Sequence, residues 1–396
     1  MTTPRVAQRL RPFGTTIFAE MTALAAKHNA INLSQGFPDF DGPEFVKQAA
    51  IGAMADGHNQ YARTFGVPAL NEAIASWWRR RGGRALDAHA EVTVTSGCTE
   101  ALAACCLGLL EPGDEVVTFE PFYDAYPAGV AMAGAARVCV PLRPHAGRFT
   151  FDEAELRAAF SPRTRALILN SPHNPTGKVF TRAELDLIAS LCTAHGAIVI
   201  ADEVYERLVF DPERPHVSIA DLPGMAERTV VCSSLGKTFS LTGWKIGWTI
   251  APPHLSAGVR AAHQFLTFAT STPFQHGAAA ALLGGQGELY VASLLREYAE
   301  RCRFLSDALT ALGFEVIRPE GTYFVMADHT AVSRRLGLAD DFALCRWLTA
   351  EAGVAAIPPS VFYDRKEEGR RLVRFAFCKR PETLEEAARR LRRALA

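Results

Sequence analysis

The hydrophobic pattern of the chain alternates between strand-like and helix-like segments over residues 92–250. Short apolar runs rich in Val and Ile are separated by segments with apolar residues every three or four positions. Strands that are apolar throughout are typical of sheets buried on both faces, and their alternation with helices indicates parallel pairing. We therefore predict an α/β protein with a doubly wound, mostly parallel sheet, whose strands lie at residues 92–95, 115–119, 137–140, 166–169, 197–201 and 229–232.

Beyond residue 250 this alternation loosens. A helical pattern over residues 276–312 is long enough to bridge two domains, and the segments after it are shorter. Near the N-terminus, residues 15–28 form a helical pattern with Phe18, Met21 and Ala25 on one face. These features predict a smaller α+β domain with strands at 314–317, 323–326 and 372–377 and helices at 341–352 and from residue 382.

The composition argues against several classes of protein. Lys and Arg number 42, as do Asp and Glu, so the net charge is +0, whereas proteins that bind nucleic acid or membrane surfaces usually carry a basic excess. Nine cysteines are scattered without a C-x-x-C spacing, which indicates reduced thiols in the cytoplasm and no metal site. The apolar segments are too short or too interrupted to span a bilayer. We therefore expect a cytoplasmic protein that acts on small molecules.

Reactive side chains follow two of the predicted strands. Asp202 and Tyr205 come after the strand at 197–201, and Lys237 comes shortly after the strand at 229–232. In α/β proteins ligands bind beyond the carboxyl ends of the strands, so these side chains are predicted to share one crevice. Lys237 is the only charged residue between positions 233 and 243, which favours a buried, reactive amine over a solvated one.

A P-loop nucleotide triphosphatase is an alternative, because Gly236-Lys237-Thr238 resembles the end of the G-x-x-x-x-G-K-[ST] motif. That motif requires a glycine at position 231, which is Val231. The alternative fails at this residue.

Three further features have both a binding and a structural interpretation. Arg374 lies within an apolar strand, where it either faces a bound carboxylate or points to water from a sheet edge. The turn from Ser96 to Thr99 leads into a helix, whose N-terminus suits phosphate but also occurs in any capped helix. Asp202 either pairs with a protonated nitrogen in the ring of a bound ligand or caps a helix.

These segments, together with Ser171-Pro-His-Asn-Pro-Thr-Gly177 and Gly243-Trp-Lys-Ile-Gly247, resemble the fold-type-I, class I aminotransferases. Those enzymes use pyridoxal 5'-phosphate (PLP). The resemblance covers nearly the whole chain. It implies a homodimer with shared active sites, a large PLP-binding domain over residues 46–285, and a small domain formed by residues 1–45 and 286–396.

The resemblance also implies a role for each candidate residue. Lys237 would bind the PLP aldehyde and move the substrate's α-proton, and Asp202 would pair with the ring nitrogen. The other cofactor contacts would come from Tyr123 on the ring face, Asn174 and Tyr205 at the 3′-oxygen, and Cys98, Thr99, Ser234, Lys245 and the partner subunit's Tyr61 around the phosphate. Substrate would be bound by Gly36, Asn174 and Arg374 at the α-carboxylate and by Phe18 and Tyr126 near its side chain. Taken alone, Gly36 could be a domain turn, and Tyr61 and Tyr123 could be packing aromatics.

Within this family the motifs are similar to those of kynurenine/glutamine, methionine and bacterial N-succinyldiaminopimelate aminotransferases. Kynurenine-type relatives often have a tryptophan at the position of Phe18 and an aromatic–histidine pair at Thr270-Ser271, so the resemblance to them is weaker there. We predict ping-pong transfer from a methionine-, glutamine- or kynurenine-like donor to a 2-oxo acid. Aspartate should be a poor donor, because no cation is predicted near the substrate's side chain. The alternatives are N-succinyldiaminopimelate transamination and a cysteine-conjugate β-lyase side activity.

Overall fold

A computed structural model describes residues 6–396, so residues 1–5 of the predicted N-terminal arm lie outside the described part of the chain. The strands found there are β1 Ile31–Asn32, β2 Val92–Thr95, β3 Glu115–Glu120, β4 Ala136–Pro141, β5 Arg143–His145, β6 Arg148–Thr150, β7 Thr164–Asn170, β8 Ile198–Asp202, β9 Thr229–Ser234, β10 Gly247–Ile250, β11 Glu315–Ile317, β12 Phe324–Asp328, β13 Val354–Ala355 and β14 Leu372–Ala376.

The α-helices in the same residues connect and cover these strands. They are α1 Ile17–Lys27, α2 Glu44–Ala55, α3 Pro68–Arg80, α4 Cys98–Leu109, α5 Ala125–Met132, α6 Glu153–Ala158, α7 Arg182–His195, α8 Leu235–Thr238, α9 Pro253–Leu266, α10 Thr272–Leu282, α11 Gly285–Ala311, α12 Thr330–Leu336, α13 Asp341–Ala350 and α14 Pro381–Leu395.

The largest sheet has seven strands in the order β2-β10-β9-β8-β7-β3-β4. Strand β10 runs antiparallel to both of its neighbours, and the other pairs are parallel. The predicted doubly wound, mostly parallel sheet is therefore confirmed, and each predicted strand lies within one of the observed strands or differs from it by one residue.

Consecutive residues of the central strands point to opposite faces of this sheet. Val199 and Val231 belong to the apolar core on the face covered by α3, α7 and α10. Ile200 and Val230 belong to the core on the other face, covered by α4, α5 and α9. Because helices exclude water from both faces, a strand here is apolar at every position, which is the pattern seen in the sequence.

A third apolar core lies around the three-stranded sheet β11-β12-β14. It includes residues of α1, α11, α13 and α14, and the parallel pair β1–β13 joins the N-terminal segment to it. This arrangement agrees with an α+β unit that includes the N-terminal arm. The domain boundaries near residues 46 and 286 stay predictions.

The single long helix predicted over residues 276–312 is wrong. The structure has two helices there, α10 and α11, which meet at an angle of 79°. Gly284 lies between them with a φ of +83°, a conformation that glycine adopts readily and that ends a helix. Among residues 6–396 no single helix is long and apolar enough to cross a bilayer, and only this bent pair would be so by combined length and composition.

Helices α4 and α9 cross at two glycines. A β-carbon built on Gly258 would lie 2.6 Å from the carbonyl oxygen of Gly108, and one built on Gly108 would overlap the carbonyl of Gly258. The two helix backbones are therefore in direct contact, which brings the N-terminal turn of α4 close to the C-terminal half of α9.

Candidate active site

The carboxyl ends of β7, β8 and β9 and the turn after β2 surround one cavity. Asp202 ends β8, and the strand register aligns it with Asn170 at the end of β7 and with Cys232 on β9. Lys237 lies in α8, the short helix that directly follows β9. The structure thus brings ten of the predicted site residues to this cavity: Cys98, Thr99, Tyr123, Tyr126, Asn174, Asp202, Tyr205, Ser234, Lys237 and Lys245.

Asp202 is buried among hydrogen-bond donors. The Tyr126 hydroxyl donates to Oδ2 at 2.7 Å, the Val204 N–H donates to Oδ1 at 3.3 Å, and the Cys98 thiol lies 3.7 Å from Oδ1. Burial raises the pKa of Asp202, and the hydrogen bonds from Tyr126 and Val204 act in the opposite direction. The arrangement suits a carboxylate that pairs with a protonated pyridine nitrogen.

Tyr126 makes a contact that the sequence did not predict. Its hydroxyl is engaged by Asp202 and its side chain is 3% exposed, while its predicted place beside the substrate's side chain stays a prediction. The packing of α5 decides which polar atom its hydroxyl meets.

Asn170 is a site residue that the sequence analysis missed. Its amide nitrogen donates to the Asp202 carbonyl at 2.8 Å, and its Oδ1 accepts the Asn174 N–H at 2.6 Å. It thereby fixes the segment that carries Asn174 against the end of β8. A polar residue at the end of an apolar strand was the available signal, the same one that identified Asp202.

Lys237 is half-buried and lines the cavity. Its Nζ lies 6.0 Å from the ring centroid of Tyr205 and 5.9 Å from that of Tyr323. Burial lowers the pKa of Lys237, which increases the fraction of neutral, nucleophilic amine. Tyr323 was not predicted to lie near Lys237. It reaches this place because β12, which directly follows it and belongs to a distant part of the chain, packs near the site.

The turn between β2 and α4 forms one end of the cavity. Gly97 caps α4 with a φ of +82°, and a β-carbon there would lie 3.1 Å from the Nζ of Lys245. Thr99 and Ser234 line the same cavity. Free N–H groups at a helix start, hydroxyls and an ammonium group form a donor set that suits a phosphate.

Arg374 is 1% exposed, so the alternative that it points to water is wrong. Its Nη1 donates to Asn174 Oδ1 at 3.2 Å and its Nη2 donates to the Ser34 carbonyl at 2.8 Å. Its Nε has no hydrogen-bond partner among the described residues. Burial lowers the pKa of Arg374 to about 10. A buried guanidinium without a carboxylate partner of its own is suited to bind the carboxylate of a ligand.

Aromatic rings surround this guanidinium. Its carbon lies 4.2 Å from the ring centroid of Phe324, 5.4 Å from that of Phe18 and 5.5 Å from that of Phe362. Phe18 therefore lies beside Arg374, and its place near the substrate stays a prediction. The rings restrict water and hold the planar guanidinium in one orientation.

The backbone of Gly36 packs directly against the aromatic rings of Tyr323 and Phe324. Its carbonyl accepts a hydrogen bond from the Tyr323 hydroxyl at 2.6 Å. A β-carbon at this position would lie 2.5 Å from Phe324 and 2.7 Å from Tyr323. The predicted close approach of the backbone is therefore found here, and it is made to the rings next to Arg374.

Tyr61 is a predicted site residue that does not line the cavity. Its side chain is 85% exposed and its ring packs edge-on against Phe268 at 5.2 Å. This position agrees with a residue that serves a second subunit, which stays a prediction.

The donor set of the cavity fits PLP. Lys237 would hold the aldehyde, Asp202 the ring nitrogen, Tyr123 the ring face, and Asn174 and Tyr205 the 3′-oxygen. Gly97, Cys98, Thr99, Ser234 and Lys245 would hold the phosphate.

Comparison with known proteins places this geometry in context. Residues 28–391 match the family described as Aminotransferase class I and II. The structure of an N-succinyldiaminopimelate aminotransferase from Mycobacterium tuberculosis is 50% identical and covers 99% of this chain and 100% of that chain, with a TM-score of 0.94. A methionine aminotransferase of Escherichia coli (strain K12) is 44% identical over 384 residues, 97% of each chain. A kynurenine–oxoglutarate transaminase of Mus musculus is 40% identical over 402 residues, 96% of this chain and 88% of the relative.

Proposed function

Because the chain belongs to the PLP-dependent class I and II aminotransferases, we propose that it moves an amino group between N-succinyldiaminopimelate and a 2-oxo acid by a ping-pong mechanism. The observation behind this choice of substrate is the higher identity to the mycobacterial N-succinyldiaminopimelate enzyme, 50% against 44% for the methionine and 40% for the kynurenine enzyme. The methionine-like donor favoured by the sequence thus becomes the second candidate.

Substrate is held by its α-carboxylate in this proposal. Arg374 supplies the planar fork, Asn174 supports it through Oδ1, and the aromatic rings around it exclude water. Lys237 would then be the base that takes the substrate's α-proton and returns a proton to the PLP carbon that carried the aldehyde, because its lowered pKa makes the neutral amine accessible. Asp202 keeps a proton on the ring nitrogen, and Tyr126 and Val204 hold Asp202 in place. When bound, PLP supplies an electron sink for the carbanion formed at the α-carbon.

A second cavity beside the site gives room for a long donor. It has a volume of about 610 Å³ and shares Thr99 and Tyr123 with the first cavity, while Phe362 joins it to the surroundings of Arg374. N-succinyldiaminopimelate extends well beyond methionine, because its second amine carries a succinyl group. This length supports its assignment to a site with such a neighbouring cavity.

The charges in that second cavity favour the other candidate donor, a methionine-like amino acid. The described residues that line it include the carboxylates of Glu20 and Asp124 and no Lys or Arg. N-succinyldiaminopimelate carries two carboxylates besides the one bound by Arg374, and the carboxylates of Glu20 and Asp124 would repel them, which costs binding energy. Methionine or glutamine would meet no such cost.

A panel of donors tests the assignment. The ratio kcat/KM is measured with 2-oxoglutarate for N-succinyldiaminopimelate, methionine, glutamine, kynurenine and aspartate. Nε-acetyllysine serves as the matched control, because it keeps a free α-amine beside its carboxylate and has an acylated second amine without the extra carboxylates. We expect N-succinyldiaminopimelate to exceed methionine by at least about tenfold, a difference of roughly 1.4 kcal/mol in transition-state binding. Methionine above both acylated donors would reject the proposal, and pyruvate release from a cysteine conjugate would establish the β-lyase side activity.

We also propose a homodimer with shared sites. Exposed aromatic side chains support it: Tyr61 is 85% exposed and Phe265 87% exposed, and large apolar groups of this kind are typical of interfaces. The nine free cysteines are compatible with a reducing compartment such as the cytoplasm. Sedimentation velocity at micromolar concentration should give twice the chain mass, and a monomer that retains full activity would contradict shared sites.

A further inference from the structure

The buried histidine His263 on α9 lies between two hydrogen-bond acceptors. Its Nδ1 is 3.0 and 3.1 Å from the two carboxylate oxygens of Glu100, and its Nε2 is 2.7 Å from the carbonyl oxygen of Thr64. A carboxylate and a carbonyl accept hydrogen bonds and do not donate them, so each ring nitrogen carries a proton. His263 is therefore an imidazolium in this arrangement.

Both partners of His263 belong to segments concerned with the phosphate of PLP. Glu100 lies in the first turn of α4, and its Oε2 accepts the Ser96 N–H at 2.9 Å, in the turn that forms the phosphate end of the cavity. Thr64 lies in the loop of residues 58–67, which also carries Tyr61. Ser96 Oγ in turn lies 3.2 Å from Thr270 Oγ1.

Glu100 would be unfavourable for phosphate binding without His263. A carboxylate in the first turn of α4 repels an anion bound at the same helix start, although it also stabilises the helix dipole. The positive charge of His263 compensates that repulsion at a distance of 3 Å, while Glu100 keeps its hydrogen bond to Ser96.

We propose that His263 is a positioning residue for the cofactor's phosphate. As an imidazolium it neutralises Glu100 beside the turn from Ser96 to Thr99 and ties this turn to the loop that carries Tyr61. The affinity for PLP then depends on the charge of His263, whereas the affinity for pyridoxal, which lacks the phosphate, does not.

The dependence on pH has a defined sign. Burial alone would lower the pKa of His263, but the hydrogen bond and charge of Glu100 outweigh it and raise the pKa above the usual 6.5. The imidazolium is thus present at low pH and is lost as the pH rises through this raised pKa. Affinity for PLP relative to pyridoxal should fall over the same range.

Other charged groups near His263 are directed elsewhere. Arg260, one turn earlier on α9, donates to Thr93 Oγ1 at 2.9 Å and to the His89 carbonyl at 2.7 Å. Arg63, in the loop that also carries Thr64, donates to the Gly66 carbonyl at 3.0 Å. Glu100 is therefore the charged group that faces the imidazole.

The test is a binding titration of the apoenzyme with PLP and with pyridoxal, followed by absorbance and tryptophan fluorescence. His263→Gln should weaken PLP binding about tenfold, as expected for the loss of a charged hydrogen bond, and leave pyridoxal binding within twofold. Glu100→Gln combined with His263→Gln should recover most of the loss, because the uncompensated charge is then absent. His254→Gln, an exposed position on the same helix, is the matched control and should bind both ligands as the wild type does.

Equal weakening for PLP and pyridoxal in His263→Gln would overturn the proposal, because it would indicate a merely structural role. The proposal would also be overturned if the double variant bound PLP still more weakly than His263→Gln while its affinity for pyridoxal stayed unchanged. Should His263→Gln fail to fold, the wild-type protein still decides the matter: the ratio of PLP to pyridoxal affinity is measured from pH 7 to 9.5, where the free phosphate is already a dianion. A falling ratio supports the role of His263, and a constant ratio refutes it.

Discussion

The Tyr126 hydroxyl donates a 2.7 Å hydrogen bond to Oδ2 of Asp202, with both side chains buried at the end of the central strand β8. The bond engages one carboxylate oxygen. The other, Oδ1, accepts the Val204 N–H at 3.3 Å. Tyr126 thus contacts the carboxylate that is expected to face the ring nitrogen.

We expect Tyr126→Phe to lower kcat about tenfold, because Asp202 loses a hydrogen bond to its charged form. KM values for different donors should change little and in parallel. Since the Tyr126 hydrogen bond lowers the pKa of Asp202, its loss raises that pKa, and the acid limb of the pH–rate profile should move to higher pH. Tyr290→Phe, at a tyrosine that does not line the cavity, is the control. A change in KM for one donor with unchanged kcat would return Tyr126 to the side-chain pocket.

Lys237 should be the residue that holds PLP. The purified protein should be yellow, and treatment with borohydride followed by peptide mapping should locate the cofactor on Lys237. Lys237→Ala should fold, bind PLP without the covalent bond, and turn over at a rate lower by several orders of magnitude, because the proton-transferring amine is absent. Labelling of Lys245, the other lysine that lines the cavity, would contradict the assignment.

Asp202→Asn should keep the shape of the side chain and remove its charge. We expect turnover to fall by about 10²-fold or more, the effect typical of removing a preorganised electrostatic partner. The absorbance spectrum of the bound cofactor should report a deprotonated ring nitrogen. Turnover close to that of the wild type would reduce Asp202 to a structural residue at the end of β8.

Arg374→Ala should raise KM and lower kcat for every donor, with kcat/KM reduced roughly 100-fold or more, because all donors share the α-carboxylate. Arg374→Lys retains the charge but not the bidentate geometry, so it should recover only part of the loss. Melting temperatures of both variants control for the hydrogen bonds to Asn174 and Ser34 that the arginine also makes. A donor unaffected by Arg374→Ala would have to be bound by another cation.

The parts of the site that could be predicted from the sequence are those fixed by strand ends. Asp202 and Lys237 follow apolar strands, and parallel pairing brings such ends to one edge of the sheet whatever the details of packing. The hydrogen bond of Tyr126 to Asp202 and the position of Tyr323 beside Lys237 were not predicted, because the contacts of a buried side chain depend on how a helix or a distant strand packs.

Helix periodicity has a similar limit. Apolar spacing continued across residues 283–285, and a helix was predicted through them, although two glycines stand there. Whether a glycine continues a helix or leaves it depends on what its neighbours pack against, and Gly284 adopts a positive φ as α11 turns away from α10.

The contact between Gly108 and Gly258 has a consequence for the evolution of this chain. Each position lacks room for a methyl group because the other backbone is already there, so neither can drift to a larger residue, and a second change at the partner position offers no compensation. A saturation library should therefore tolerate glycine alone at both sites. Substitutions elsewhere in α4 and α9 can accumulate, but the point where the two helices cross stays fixed. The fixed crossing also keeps Glu100 within hydrogen-bonding distance of His263.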